Sequence, residues 1–297
     1  MPEIKCKLCN CDDVSVIYKG PIKTGLLDGY THKDYEVYQC GKCETIWNEA
    51  YKDVADDFYE SEEYRKRIEG DSEIATYHKK HDSEVLDKLN MTGTAIFRDK
   101  IVADIGCAAG SFLEFLHGVA KTIIAVEPSK KYRDYLTSIW EGGIYSYASD
   151  ALPYWGNKVD VVTSFDVIEH VEDVQRFADE IYELCAPGGR CIIGTPTDYP
   201  VLRKMLGREF DKFIFQVQHP WVLSEKSFFA LFKNAGFRNI TIKKRQKYGL
   251  GNLLAWLNER KPRGDIKYDF ISETIDAAYK AEMGKYNAEY LVLYAEK

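Results

Sequence analysis

The run Ile101 to Ile105 is short, apolar and partly β-branched, and it passes directly into Gly106-Cys107-Ala108-Ala109-Gly110 and then Ser111 to Leu116. No other stretch constrains the chain as much. The run reads as a parallel strand covered on both faces, broken only by Asp104, and Ser111 opens a helix. Two glycines bracketing three small residues make a turn that lets backbone approach a flat, polar ligand closely. A single strand-turn-helix of this kind serves dinucleotides, phosphates or a plain sharp bend, so the decision rests on the strands and acids downstream of it.

A second strand, 122–128, places Glu127 at its carboxyl end about 20 residues after the turn, where nucleotide-binding α/β folds receive two ribose hydroxyls on a carboxylate. Asp150 is expected to close a third strand. Residues 158–174 read as a fourth strand running into a helix, and 184–197 as a Pro187-Gly188-Gly189 turn leading into a fifth. In this order the motifs resemble the class I S-adenosylmethionine-dependent methyltransferases, over roughly residues 95 to 297. The turn of that family is Asp-x-Gly-x-Gly-x-Gly, and Asp104, Gly106, Ala108 and Gly110 match it with one central glycine replaced by alanine. A nicotinamide dehydrogenase would share the turn and Glu127 but not Asp150 followed by Glu169-His170 and Pro187-Gly188-Gly189.

The resemblance implies an α/β fold with a doubly wound, seven-stranded Rossmann-like sheet. It implies S-adenosyl-L-methionine as cofactor, with Asp104, Gly106, Cys107 and Gly110 around its methionine part and Glu127 on its ribose. Asp150, Ala151 and Leu152 would contact its adenine, and Phe165 is a further cofactor-binding candidate.

Eight cysteines occur among 297 residues, five of them in the first 43. Cys6-x-x-Cys9 and Cys40-x-x-Cys43 form two knuckles with zinc-ribbon spacing and a long insert, which suits a closed, structural Cys₄ zinc site. Cys11 could replace Cys9, and a redox pair is the alternative reading of Cys-x-x-Cys. Residues 14–20 and 34–40 alternate as strands. A segment of about 45 residues has too small a core to stand alone, so metal would supply part of its folding energy. Bacterial methyltransferases of sugar and polysaccharide pathways, which the chain resembles here too, often carry such an N-terminal zinc-binding domain. Cys107, Cys185 and Cys191 read as small packed residues.

The expected organisation is therefore a zinc-binding module at 1–50, a helical lid or linker at 51–95, and a methyltransferase domain at 96–297 with insertions at 197–225 and 247–287. Within 53–92 two helical stretches are expected. Tyr59, Tyr64 and Tyr77 are candidates for lining the site, with ordinary amphipathic packing as the alternative. Asp166, Glu169 and His170 come after the fourth strand at the edge where open α/β sheets bind ligands. Relatives with Glu-x-x-Glu-His bind a divalent ion, so a second ion at Asp166/Glu169/His170 is one reading, and helix capping by Glu169 is the other. His219 stands before a helix capped by Ser224. It is the first choice of general base, with His170 in reserve, because a neutral imidazole accepts a proton near pH 7.

A sixth strand is expected at 239–246 and a seventh, antiparallel, at 289–297. The net charge of −7 argues against a broad nucleic-acid surface, despite a basic patch at 243–247. No apolar run approaches the length of a membrane span and no signal peptide is evident, so a cytoplasmic protein is expected. The acceptor implied by the resemblance is a nucleotide-linked sugar or polysaccharide precursor, methylated on oxygen or, second, on an acidic carbon. Alternatives are a zinc-ribbon RNA methyltransferase and a non-catalytic S-adenosylmethionine-binding scaffold. The sequence does not fix the oligomeric state.

Overall fold

The computed structural model describes residues 4–25, 29–54, 57–286 and 289–297. The chain begins with a cysteine knuckle, then β1 (Val14–Gly20) and β2 (Tyr35–Cys40) as an antiparallel pair, a second knuckle, and the short β3 (Ile46–Asn48). Two helices come next, α1 (Glu63–Glu69) and α2 (Ile74–Thr92).

The main sheet then builds as alternating strands and crossovers: β4 (Ile101–Ile105), α3 (Ser111–Leu116), β5 (Thr122–Val126), α4 (Lys130–Ile139), β6 (Gly143–Tyr145), α5 (Ala148–Trp155), β7 (Val159–Phe165), α6 (Val174–Leu184) and β8 (Cys185–Pro196). An insertion contributes α7 (Pro200–Leu206), α8 (Arg208–Ile214) and the two-residue β9 (Trp221–Val222). The chain closes with α9 (Glu225–Asn234), β10 (Arg238–Arg245), α10 (Leu250–Glu259), α11 (Glu273–Tyr286) and β11 (Tyr290–Glu296).

The main sheet has seven strands in the order β10-β11-β8-β7-β4-β5-β6. β4 through β8 run parallel, while β11 lies antiparallel to both β8 and β10. Central strands are buried almost throughout, as parallel strands covered by helices on both faces must be. α6 shows why the covering holds. Val174, Phe177, Ala178, Ile181 and Leu184 fall on one buried stripe, and Asp173 caps its first turn by accepting from Arg176 N. β10 forms one edge of the sheet, and Lys243, Lys244 and Arg245 there discourage a further strand from pairing. Because β10 runs in the same direction as β8, its end at Arg245 reaches the carboxyl edge shared by the parallel strands.

The N-terminal strands β1, β2 and β3 pair with one another but do not complete their sheet by themselves. β9, from the insertion, pairs antiparallel with β3 and completes a four-stranded sheet in the order β1-β2-β3-β9, with Ile46 opposite Val222 and Trp47 opposite Trp221. Tyr18, Ile22, Val37 and Ile46 share one core with Leu202, Leu206, Phe210, Ile214, Phe215 and Trp256. A segment too small to bury its own apolar face thus borrows one from the insertion and α10.

One expectation is corrected here. The third strand ends at Tyr145, and Asp150 lies in the first turn of α5, where its carboxylate accepts from Tyr147 N in a capping box. An acid three residues into a helix is favoured because it satisfies an otherwise orphaned backbone donor.

Candidate functional site

The carboxyl edges of β4, β5 and β7 carry Asp104, Gly106, Cys107, Gly110, Glu127, Phe165, Glu169 and His170, whereas Asp150 and Ala151 lie on α5 and His219 comes from the insertion. On one side lies the glycine turn. Gly106 (φ +76°) and Gly110 (φ +87°) occupy the left-handed region, and a Cβ on Gly106 would collide with Val167 Cγ2. Ala108 takes the same hand of backbone (φ +49°) without being glycine. Behind the turn Asp104 is buried, accepts from Thr163 Oγ1 at 2.6 Å, and has its pKa pushed up by burial to about 6. Cys107 is also buried, its thiol pKa raised well above the usual range by that burial.

Glu127 fixes the shape of this half. It is only 4% exposed; Oε2 accepts from Ala108 N at 2.9 Å and Oε1 from Ser129 N at 2.8 Å. Burial raises its pKa and the Arg65 guanidinium works against that rise. A carboxylate offers about four lone-pair sites, so two remain for a pair of hydroxyls. Arg65, on α1, stacks within 5.1–5.4 Å of the Tyr64, Tyr77 and Tyr132 rings and sets a cation against the acid. Ala151 and Phe165 are buried, Phe165 edge-on to Phe112, while Asp150 is exposed.

On the other side lies a cluster of neutralised titratable groups. Glu169 is buried, accepts from Thr195 Oγ1 at 3.0 Å, and is held well above the usual carboxyl range by burial and by Asp166 nearby. It does not cap α6, since Asp173 does. The His170 and His219 rings meet edge to face at 4.5 Å. Burial lowers both imidazoles, His219 to about 4 and His170 well below its usual value, with His219 adding to the shift on His170. Tyr59 OH lies 3.2 Å from His170 Nδ1 and donates to Gln218 O at 3.3 Å. Tyr64 also packs edge-on to His170, whereas Tyr77 packs on Tyr132 and the glycine turn. Gln218 is buried with neither end of its side-chain amide hydrogen-bonded.

The ligand atoms of Glu169, His170 and His219 lie within 4.8 Å of one another. Asp166, expected to join Glu169 and His170, is instead turned toward the Tyr290 hydroxyl from a left-handed backbone position (φ +58°). His219 takes its place. The four sulfurs of Cys6, Cys9, Cys40 and Cys43 also gather within 4.8 Å, with Cys6–Cys43 and Cys9–Cys40 both at 3.6 Å. Zn–S bonds of about 2.3 Å in a tetrahedron put sulfurs about 3.8 Å apart, so the cage fits that ion. Burial opposes ionisation of Cys40, yet the backbone amides of Cys43 and Lys42 bring its thiol down to about 7. Cys11 lies outside the group, accepting from Asp13 N.

Sequence reasoning missed Arg65 and Thr195. Arg65 sits within a charged run that reads as a solvated helix face, and Thr195 in a strand that reads as plain core.

Residues 77–242, more than half of the chain, match the family model described as a methyltransferase domain. The chain is 29% identical over 139 residues to a ubiquinone biosynthesis O-methyltransferase of Brucella anthropi, a match covering 37% of this chain and 54% of that protein. It is 31% identical over 109 residues to the protein of the same name from a Caulobacter strain, covering 35% and 43%. The chain thus spans about half the length of these curated relatives or less. Among solved structures, it is similar to a SAM-dependent methyltransferase from Archaeoglobus fulgidus (TM-score 0.49, 16% identity, 74% of this chain and 94% of that one). It is also similar to the YcgJ protein of Bacillus subtilis (TM-score 0.49, 15% identity, 73% and 99%).

Proposed function

Because the chain belongs to the methyltransferase-domain family, we propose that it moves a methyl group from S-adenosylmethionine to a hydroxyl of a small polar acceptor, with His219 as general base. The observation that carries this reading is the pairing of two half-sites: a pre-oriented carboxylate at Glu127, and a cluster in which His219 of the insertion meets His170 and Glu169 of the sheet edge, with burial opposing charge on all three. When bound, the cofactor supplies a sulfonium methyl and a good leaving group. Everything else falls to this chain's residues. The turn at 106–110 and Asp104 would hold the cofactor's methionine part, Glu127 its ribose hydroxyls and Asp150 with Ala151 its adenine, with Phe165 a further cofactor-binding residue.

His219 accepts the acceptor's proton. A base with a pKa of about 4 cannot take a proton from a free hydroxyl in advance. It need not, because the hydroxyl becomes strongly acidic as its oxygen bonds to carbon. The proton therefore moves late, and burial ensures that the imidazole is neutral and ready at pH 7. His170 packs edge-on against His219, and burial disfavours a charge on Glu169. The remaining acceleration comes from positioning.

The acceptor we favour is a nucleotide-linked sugar or polysaccharide precursor. Oxygen is the first choice of atom and an acidic carbon the second. The four-cysteine cage holds structural zinc. The trio Glu169, His170 and His219 also has the donor set for a divalent ion such as Mn²⁺, Mg²⁺ or Zn²⁺, which would orient the acceptor oxygen instead. Among the described residues no helix is long and apolar enough to cross a membrane.

The test is turnover of a nucleotide-sugar panel by wild type and His219→Ala. We expect a rate loss of about 10²-fold or more with unchanged S-adenosylhomocysteine affinity. Full activity in the variant would remove His219 as base. Loss of activity on metal stripping, restored by Mn²⁺, would favour the ion.

A further inference from the structure

The segment Gln216–Pro220, which carries His219, belongs to neither a helix nor a strand and must find its backbone partners elsewhere. It finds most of them in the N-terminal module. Val217 N donates to Lys23 O and Lys23 N to Phe215 O, both at 2.9 Å. Asn48 N donates to Pro220 O at 3.0 Å. The Asn48 side chain, 3% exposed, donates through Nδ2 to His219 O at 3.0 Å and to Gln216 O at 3.4 Å, while its Oδ1 accepts from Ala50 N at 2.9 Å. Every polar atom of this buried amide is therefore used, and two of its contacts end on the catalytic loop.

The same strand is tied to the cysteines. β3 begins three residues after Cys43, and Cys43 O accepts from Ser224 Oγ, just beyond β9, at 3.0 Å. Cys6, Cys40, Cys43, Trp47, Trp221 and Leu223 share one buried cluster. Metal held by the cysteines would fix both knuckles, the knuckles fix β3, and β3 fixes the backbone of His219.

We infer that the four-cysteine module is a clamp on the catalytic loop, and that Asn48 is the positioning residue through which it sets the His219 ring. The inference rests on His219 as the base. Metal loading at the knuckles then controls transfer, although no cysteine of the cage lies among the cofactor-turn or histidine-cluster residues. A displacement of about 1 Å at a catalytic group costs about 10²-fold in rate, so a small relaxation of the loop is enough.

Asn48→Asp in the full chain tests this. Aspartate keeps the shape and the Oδ1 acceptor but turns a second oxygen toward the carbonyls of His219 and Gln216. We expect kcat to fall about 10-fold or more, the assigned His219 imidazole resonance to shift, and zinc content and S-adenosylhomocysteine affinity to match wild type. Wild-type kcat with an unmoved His219 resonance would overturn the clamp, as would a lost kcat with that resonance unmoved.

Should Asn48→Asp not fold, hydrogen exchange on wild type before and after chelation of zinc decides. Faster exchange at 216–222 with unchanged protection at 106–110 supports the clamp, and equal change in both, or in neither, refutes it. The resonance and the exchange do not depend on turnover. They decide the clamp even if His219→Ala shows that another group is the base.

Discussion

Removing the Glu127 carboxylate should damage folding and cofactor binding by separate, calculable amounts. In Glu127→Ala the backbone donors of Ala108 and Ser129 lose their acceptors inside the protein. An orphaned buried donor costs about 1–3 kcal/mol, so two should cost about 2–6 kcal/mol. Part of that is returned, because burial raises the Glu127 pKa and so already opposes its charge. We expect a net loss of about 2–4 kcal/mol in urea unfolding. Cofactor binding loses two hydrogen bonds to a charged acceptor, together about 3 kcal/mol or about 10²-fold in S-adenosylhomocysteine affinity by calorimetry.

Glu127→Gln separates the effects. It keeps the volume and one acceptor, so stability should fall by only about 1–2 kcal/mol while affinity still drops. The pH dependence has a definite sign. Since the folded-state pKa is raised, the stability that Glu127 gains from its proton is complete below the unfolded value of 4.5 and disappears as pH rises through the folded value. The gap between wild type and Glu127→Gln should therefore be widest near pH 4 and narrow on going up. Unchanged affinity in Glu127→Ala would end the ribose assignment, and unchanged stability would end the account of the turn.

Three further perturbations draw on the same geometry. Ala108→Gly should stabilise the chain by about 0.5–1 kcal/mol, because a left-handed alanine costs about 1–2 kcal/mol and glycine returns part of that gain through the unfolded chain. A lower urea midpoint would contradict it. Cys40→Ser should lose the zinc and lower the thermal midpoint, and full zinc by elemental analysis would refute the four-cysteine cage. Because burial lowers the His219 pKa to about 4, its contribution to stability is present above about 6.5 and is lost as pH falls through about 4, and His170, also lowered, acts in the same direction. His219→Gln should flatten urea midpoints across that interval, and an identical acid profile would exclude His219 as a buried neutral base.

The main sheet was legible because its central strands are continuous apolar runs separated by helices with one buried stripe, a pattern that survives any tertiary context. The antiparallel last strand and the Ser224 cap fall where the residues placed them, and the strands expected at 14–20 and 34–40 are found at 14–20 and 35–40. Asp150 was misplaced for a local reason: β6 is only three half-buried residues long, and the capping acid after it resembles a strand-end acid when only spacing is visible. The pairing of β3 with β9 had no sequence signal. Five residues in all, separated by most of the chain, carry too little pattern to announce a partner.

The two half-sites differ in the same way. The Glu127 end is held locally, by bonds from Ser129 and Ala108, 2 and 19 positions away. Its spacing is therefore written in the sequence and could be read there. The acceptor half is assembled across separations of 111, 159 and 171 residues by Tyr59 to His170, Tyr59 to Gln218 and Asn48 to His219. Loop closure over such distances costs only slightly more than over short ones, so nothing disfavours the arrangement energetically. Each long-range contact nevertheless brings in a segment whose residues look ordinary alone. Tyr59 and Arg65 lie in a charged helical stretch, and Asn48 ends a three-residue strand. The histidine cluster thus draws on Tyr59 and Tyr64, the N-terminal module and the sheet, while the glycine turn draws on the sheet and on α1 and α2 through Arg65 and Tyr77. That division is why a perturbation of the module can reach His219 and leave Glu127 untouched.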